Sequence, residues 1–275
     1  MKPDTTPVRE YPLERSDAET ERLMLQERMI GASTARFFTA AGIEQGMHVL
    51  DVGSGAGDVS LLVASLVGPT GSVQGIELDD PSVHVASSRA EQLGLDNVSF
   101  VAGDVTKADL TGRYDAVVGR LVLMHLADPA AVLRRLADSL PKGGLVAFQE
   151  AHLASRWLSF PESESLAAVE RVRQNALRAG QVVNPNMGLG LRHAFVLAGL
   201  GDPQILTELT VGGGGDACRL VEATIRSLLP GWQRRNFEGA HDINPEGLAE
   251  HIRHEIGEHG TIALYPLIGA WARVP

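Results

Sequence analysis

The sequence predicts an α/β fold, a doubly wound and mostly parallel sheet, over residues 43 to 150. Three observations predict it. Apolar runs of strand length alternate with helical periodicity, the connections are short, and a glycine-rich turn in "VLDVGSGAGDVSLL" (residues 49–62) joins a strand to a helix. Near-continuous apolar strands separated by helices suit a parallel sheet, because helices cover both of its faces.

Residues 1–15 read as an extended arm, since Pro3, Pro7 and Pro12 block helix. Ser16 or Asp17 can cap a helix in which Leu23, Met24, Glu27, Ile30, Ala35 and Phe38 carry a broad apolar face up to Gly42. "MHVLDV" is the first strand of the alternating series and its helix follows Gly57. "SVQGIEL" comes next, then a helix capped by Asp80, started by Pro81 and ending near Gly94. "NVSFVAG" and "YDAVVGR" are further strands, "AAVLRRLADSL" is helical, and "GLVAFQE" closes the series at Glu150.

Beyond Glu150 the rhythm changes. "PESESLAAVERVRQNALRAG" and "NMGLGLRHAFVLAGL" are helical, "PQILTELTV" is a strand, and "GGGG" at 212–215 reads as a flexible joint. Helices are expected around 217–229 and from Pro245 to His259, before a last strand in "TIALYPLIGAWARV". The expected organisation is an N-terminal arm and helical cap (1–42), a ligand-binding core (43–150), and cap helices with the last two strands of the same sheet (151–275).

At 275 residues the chain exceeds the usual domain, so appendages on one core are expected. Its formal charge is −10 and its basic residues are scattered, which argues against nucleic acid as a partner. Cys218 is the only cysteine, which excludes an intramolecular disulfide and a thiolate zinc cage. The polar start "MKPDTTPVREYPLERSD" lacks a signal-like apolar core and no long uninterrupted apolar stretch follows, so a soluble, cytoplasmic chain with no membrane partner is expected. The arm could cross to a neighbouring copy, a route to a homodimer. His251, His254 and His259 miss the H-E-x-x-H spacing and read as a solvated helix face, so no metal is expected.

Gly53, Gly55 and Gly57 are spaced G-x-G-x-G. A dinucleotide fingerprint would need glycine at 58, where Asp58 stands, and a phosphate-cradling loop would need Gly-Lys followed by Ser or Thr. Asp51, just before the first glycine, would repel a pyrophosphate and suits a cationic ligand. Glu77 ends the next strand, where a carboxylate can accept two hydrogen bonds from ribose hydroxyls, and Asp104 after the third could accept from an exocyclic amine. A ribose, an adenine and a positively charged tail together make S-adenosylmethionine.

The segments "VLDVGSGAGDVSLLVA", "VQGIELDD", "FVAGDV", "YDAVVGRLVLMHLADP" and "LPKGGLVAFQE" resemble, in order and spacing, the successive motifs of class I S-adenosylmethionine-dependent methyltransferases. The likeness covers about residues 45–150 and is greatest to the small-molecule branch that includes ubiquinone and menaquinone biosynthesis enzymes. It implies a seven-stranded sheet with a reversed last strand, so that "TIALYPLIGAWARV" would pair with "PQILTELTV". It further implies that Asp51, Gly53, Ser54 and Gly55 line the methionine end of the cofactor, Glu77 and Leu78 the ribose and adenine, Asp104 and Val105 the adenine, and Arg120 the methionine moiety. In such relatives an N-terminal helix folds over the cofactor, which puts Tyr11 and Gln26 at the methionine end.

The resemblance implies transfer of a methyl group to oxygen, carbon or nitrogen of a small, apolar or aromatic metabolite. Positioning alone can supply much of the acceleration. Where a proton must be removed, His125, Glu150 and His152 are the candidates near the strand ends. Trp157, Phe160, Met187, Trp232 and Phe237 are the candidates for an apolar acceptor pocket. The lone Cys218 departs from the multi-cysteine pattern of arsenite methyltransferases. Two alternatives share the cofactor: a cyclase or rearrangement catalyst, which would yield no S-adenosylhomocysteine, and a non-catalytic partner protein, which would have a closed acceptor channel.

Overall fold

The computed structural model describes residues 17–108, 110, 114–179 and 183–275. They divide into two compact units, one of Ser33–Glu150, Met187–Thr207 and Ile268–Pro275, the other of the chain up to Ala32, Ala151–Asn186 and Glu208–Leu267. Helix α1 (Asp17–Ala41), strand β7 (Gln204–Gly213) and strand β8 (Thr261–Arg273) each contribute to both.

The first unit holds β1 (His48–Val52), β2 (Ser72–Glu77), β3 (Val98–Ala102), β4 (Ala116–Arg120), β5 (Leu145–Ala151) and the end of β8, in the order β3-β2-β1-β4-β5-β8. The pairs β1–β2, β2–β3, β1–β4 and β4–β5 are parallel. Helices α2 (Asp58–Val67), α3 (Asp80–Gln92), α4 (Pro129–Asp138) and α6 (Met187–Leu197) belong to it. Their starts follow local chemistry: Asp79 accepts from the Ser82 amide (2.7 Å) ahead of Pro81, and Asp128 accepts from the Ala131 amide (2.9 Å) ahead of Pro129. The cap of α3 is therefore Asp79, one residue before the Asp80 expected from sequence.

The core of this unit gathers Phe37 and Phe38 of α1 with Val63 and Val67 of α2 and Val49, Val73, Val118 and Leu145 of the sheet. Trp271 stands edge-on to Phe37, the ring centroids 5.9 Å apart. Gly269 makes that contact possible, because a Cβ there would lie 2.2 Å from the Phe37 ring.

In the second unit, α5 (Glu164–Arg178), α7 (Asp216–Arg234) and α8 (Leu248–Ile256) accompany the start of α1. Strand β6 (Leu158–Phe160) runs antiparallel to the start of β8, Leu158 opposite Ala263. Strand β7 (Gln204–Gly213) pairs with β8, as the sequence motifs imply. Ser163 caps α5 by accepting from the Leu166 amide (3.0 Å), and its hydroxyl and that of Ser165 donate to Glu255 of α8.

Three expectations change here. The sheet has eight strands rather than seven, because β6 is only three residues long and owes its existence to β8 rather than to its own pattern. Helix α7 continues through Pro230 to Arg234, since burial of Ile225, Leu229 and Trp232 outweighs one lost amide donor. The run Gly212–Gly215 is not a joint but the end of β7 and the cap of α7, and a Cβ at Gly212 would sit 2.7 Å from Met29 Cε.

Gly269→Ala should destabilise the protein by about 1–3 kcal/mol through overpacking against Phe37. Equilibrium urea unfolding measures it, and an unchanged midpoint would contradict the close approach.

Candidate functional site

Parallel pairing brings the carboxyl ends of β1 to β4 side by side. Asp51 lies opposite Gly75, Val52 opposite Ile76 and Gly119, and Glu77 opposite Ala102. The chain then turns sharply: the amides of Gly53 and Ser54 both donate to the Ile76 carbonyl (2.9 and 3.2 Å). Gly53 (φ +66°) and Gly57 (φ +90°) occupy the left-handed region that the bend demands. A Cβ at Gly53 would also strike Val122 Cγ2 at 2.6 Å, whereas one at Gly55 would meet nothing within 4 Å. The bend is packed behind and open in front.

Around that open side stand acceptors. Glu77 Oε2 accepts from the Gly55 amide (2.9 Å) and Oε1 from the Asp79 amide (3.3 Å), which fixes the carboxylate while leaving lone pairs on both oxygens. Asp51 is buried, with Oδ2 accepting from the Ser60 hydroxyl at 2.6 Å. Its Oδ1 and the Ser54 Oγ are buried with no hydrogen-bond partner among the described residues. An unmet buried polar atom costs about 1–3 kcal/mol, so this pair calls for an external donor, which a cationic ligand supplies. Burial pushes the Asp51 carboxyl up to about 7, against the Ser60 hydroxyl and the nearby Arg120 guanidinium.

Arg120 ends β4 and donates from Nη1 to Thr34 Oγ1 (3.0 Å), and that hydroxyl donates to Gln149 Oε1 (2.9 Å). Arg89 on α3 donates to the Ala56 carbonyl and pairs with Asp58 (2.7 Å), so Asp58 braces the glycine turn instead of facing solvent. Thr34, Gln149, Ser60 and Arg89 escaped sequence reasoning. Only Ser60, one helical turn past the bend, carried a local signal.

The other sequence candidates in this unit fare differently. Leu78 is exposed. Asp104 accepts from the Thr106 amide (2.9 Å) and hydroxyl (2.6 Å) and pairs with Lys107 (2.8 Å). Burial works against ionisation there, but those donors outweigh it and hold the carboxyl below its ordinary value. Asp104 thus organises its own turn, and Val105 beside it gives its carbonyl to Arg135 (3.2 Å). His125 sits in a 3-10 turn after β4, where burial pushes its imidazole down to about 4 and keeps it neutral. Met187 opens α6 as a buried core residue. Glu150 is fully buried, and its oxygens accept the amides of Val122 (3.0 Å), Leu123 (2.8 Å) and Met124 (3.4 Å).

In the other unit, Gln26 accepts from Arg22 within α1 (2.9 Å). His152 follows β5, its amide donating to the Pro266 carbonyl (2.9 Å); its Nδ1 is buried without a partner among the described residues, and burial lowers its imidazole pKa. Trp157 is buried beneath the Arg173 guanidinium, 4.4 Å from the ring centroid. Trp232 is buried on α7 and Phe237 is half-buried. Phe160 is 81% exposed on β6, so it lines no enclosed pocket. Tyr11 lies outside the described residues.

A family model described as a methyltransferase domain matches residues 43–198. The chain is 33% identical over 187 residues to an arsenite methyltransferase of Aquipseudomonas alcaligenes, covering 64% of this chain and 51% of that one. It is 35% identical over 104 residues to an aklanonic acid methyltransferase of Streptomyces sp. strain C5, covering 38% and 47%. The chain therefore spans about half the length of these curated relatives. Among solved structures, an S-adenosylmethionine-dependent methyltransferase of Aquifex aeolicus superposes with a TM-score of 0.52 at 18% identity, over 71% of this chain and 92% of that one, a likeness of fold.

The Asp51 shift sets a stability test. Its folded carboxyl binds a proton up to about pH 7 while the unfolded one ionises near its usual 3.8, so its contribution is full at low pH and lost as pH rises through about 7. Asp51→Asn should therefore raise the melting temperature of the ligand-free protein more at pH 8 than at pH 5. An equal change at both values would contradict the buried, reluctantly charged carboxyl.

Proposed function

The chain belongs to the methyltransferase-domain family, and from that premise we propose that it moves a methyl group from S-adenosylmethionine to an oxygen, carbon or nitrogen atom of a small, mostly apolar metabolite. The observation that carries this reading is the open bend at Gly55 flanked by the fixed Glu77 carboxylate and the unmet Asp51 Oδ1 and Ser54 Oγ. Those acceptors suit a molecule with ribose hydroxyls and an ammonium group, and they do not suit a polyphosphate.

When bound, the cofactor supplies an electrophilic methyl carbon whose sulfur leaves with the bonding pair as a neutral thioether. Asp51 Oδ1 and Ser54 Oγ are placed to take the ammonium protons and Glu77 the ribose hydroxyls, while Arg120, fixed through Thr34, offers its charge to a carboxylate. An acceptor that sheds a proton on methylation would need a base beside it. His152, which follows β5, is the residue we assign to that role, because burial lowers its imidazole pKa and favours the neutral, proton-accepting form.

The relative named for aklanonic acid supports a small organic acceptor. Arsenite is a poor one for this chain: trivalent arsenic seeks thiolates, and its lone Cys218 is buried with the thiol pushed up to about 11.

Two measurements test the reading. Calorimetric titration with S-adenosylhomocysteine should show binding, and Glu77→Ala should weaken it by about 1.5–3 kcal/mol, the worth of hydrogen bonds to a charged group; unchanged affinity removes Glu77 from the ribose. With labelled S-adenosylmethionine and a panel of apolar hydroxyl, amine and acidic-carbon acceptors, mass spectrometry should find a methylated product. His152→Gln should then slow turnover by about 100-fold, the low end of general-base contributions, at preserved cofactor affinity. Normal turnover would take His152 out of the chemistry.

A further inference from the structure

Resting on the methyltransferase reading above, we infer that Glu150 is a positioning residue that holds the turn after β4 against the cofactor's glycine bend, and is not the base that removes the acceptor's proton. The turn is strained at one point: Leu121 sits at φ +57°, a left-handed conformation that disfavours a branched side chain. The end of β5 holds it there. The Leu121 amide donates to the Gln149 carbonyl (2.9 Å), and the next three amides, of Val122, Leu123 and Met124, converge on the Glu150 carboxylate at 3.0, 2.8 and 3.4 Å. Both carboxylate oxygens are thereby engaged by main-chain donors, and the group is fully buried.

What the turn carries explains why this matters. Val122 is the side chain that a Cβ at Gly53 would strike at 2.6 Å and one at Gly119 would strike at 3.1 Å. It is wedged between the end of β4 and the first glycine of the bend. Glu150 thus acts on the cofactor site through Val122 and Gly53, without reaching the reacting atoms itself. The same turn begins at Arg120, whose guanidinium is tied to Thr34 and through it to Gln149, so adjacent residues of β5 fix both the cation and the wedge.

Positioning and base chemistry part company at the conservative variant. A glutamine at 150 can keep its oxygen on the Val122 and Leu123 amides and loses only the long Met124 contact, whereas alanine leaves all three buried amides unmet. Calorimetric titration with S-adenosylhomocysteine of the wild type, Glu150→Gln, Glu150→Ala and the double variant Leu121→Gly/Glu150→Ala tests it, with circular dichroism confirming that each is folded. The expected result is affinity within about threefold of wild type for Glu150→Gln, a loss of at least about tenfold for Glu150→Ala, and partial recovery in the double variant, because glycine holds φ above zero without strain. Equal affinity in all four proteins would overturn the inference, as would a folded Glu150→Gln that binds normally but has lost turnover on an acceptor found in the panel. If Glu150→Ala does not fold, Glu150→Gln alone decides by the same two readouts. A wild type that binds no S-adenosylhomocysteine would instead remove the methyltransferase reading, and the inference with it.

Discussion

A carboxylate buried at the end of β1 with one oxygen unmet is the constraint around which the sheet end is arranged. Asp51 is buried, and the one hydrogen bond to its carboxylate among the described residues comes from Ser60 in the first turn of α2. Removing a charged group from water is costly unless a partner is supplied, so the folded chain holds a deficit that a cationic donor would relieve. Four parallel pairings fix the strand ends, and Val122 behind and Arg89 outside lock the bend between β1 and α2.

The parallel arrangement also explains how chemically different groups arrive at one edge. Successive parallel strands deliver their last residues to the same side, so Asp51, Glu77 and Arg120 come from separate segments yet need no long loops to meet. The spacing in sequence is set by the helices between them. What each group can do is decided locally. Glu77 has two amides that orient it and free lone pairs beyond them, whereas Asp104 is drawn into its own turn by Thr106 and Lys107 and has less to offer.

Much of this was legible in the sequence, because burial on both faces writes strands as apolar runs and the bend needs glycine wherever φ is positive. The acidic strand ends stood out for the same reason: a charge at the border of an apolar run has to be explained. The role of Glu150 was not legible. Its partners are main-chain amides, which every residue possesses, and no pattern of side chains marks the three that converge on it. Thr34 and Gln149 were hidden by distance, standing 115 positions apart in the chain. Strand β6 was missed because three residues carry no periodicity, and Pro230 misled because a proline's local cost says nothing of the apolar face that outweighs it.

The second unit disposes its polar groups differently. Glu170 and Arg173 form a buried bidentate pair at 2.7 and 3.0 Å, and the same guanidinium donates to the Leu153 and Ser155 carbonyls. A buried ion pair of this kind is weak support for stability, but it is well suited to fixing a segment in one conformation. The segment it fixes carries His152 at one end and Trp157, under the guanidinium face, at the other. Gln174 adds a hydrogen bond to Glu170 at 2.8 Å, so three residues of one face of α5 are spent on holding a short irregular stretch. Irregular backbone is ordinarily left to water. Securing it from a helix with a buried charge pair holds the side chains of that stretch in one orientation.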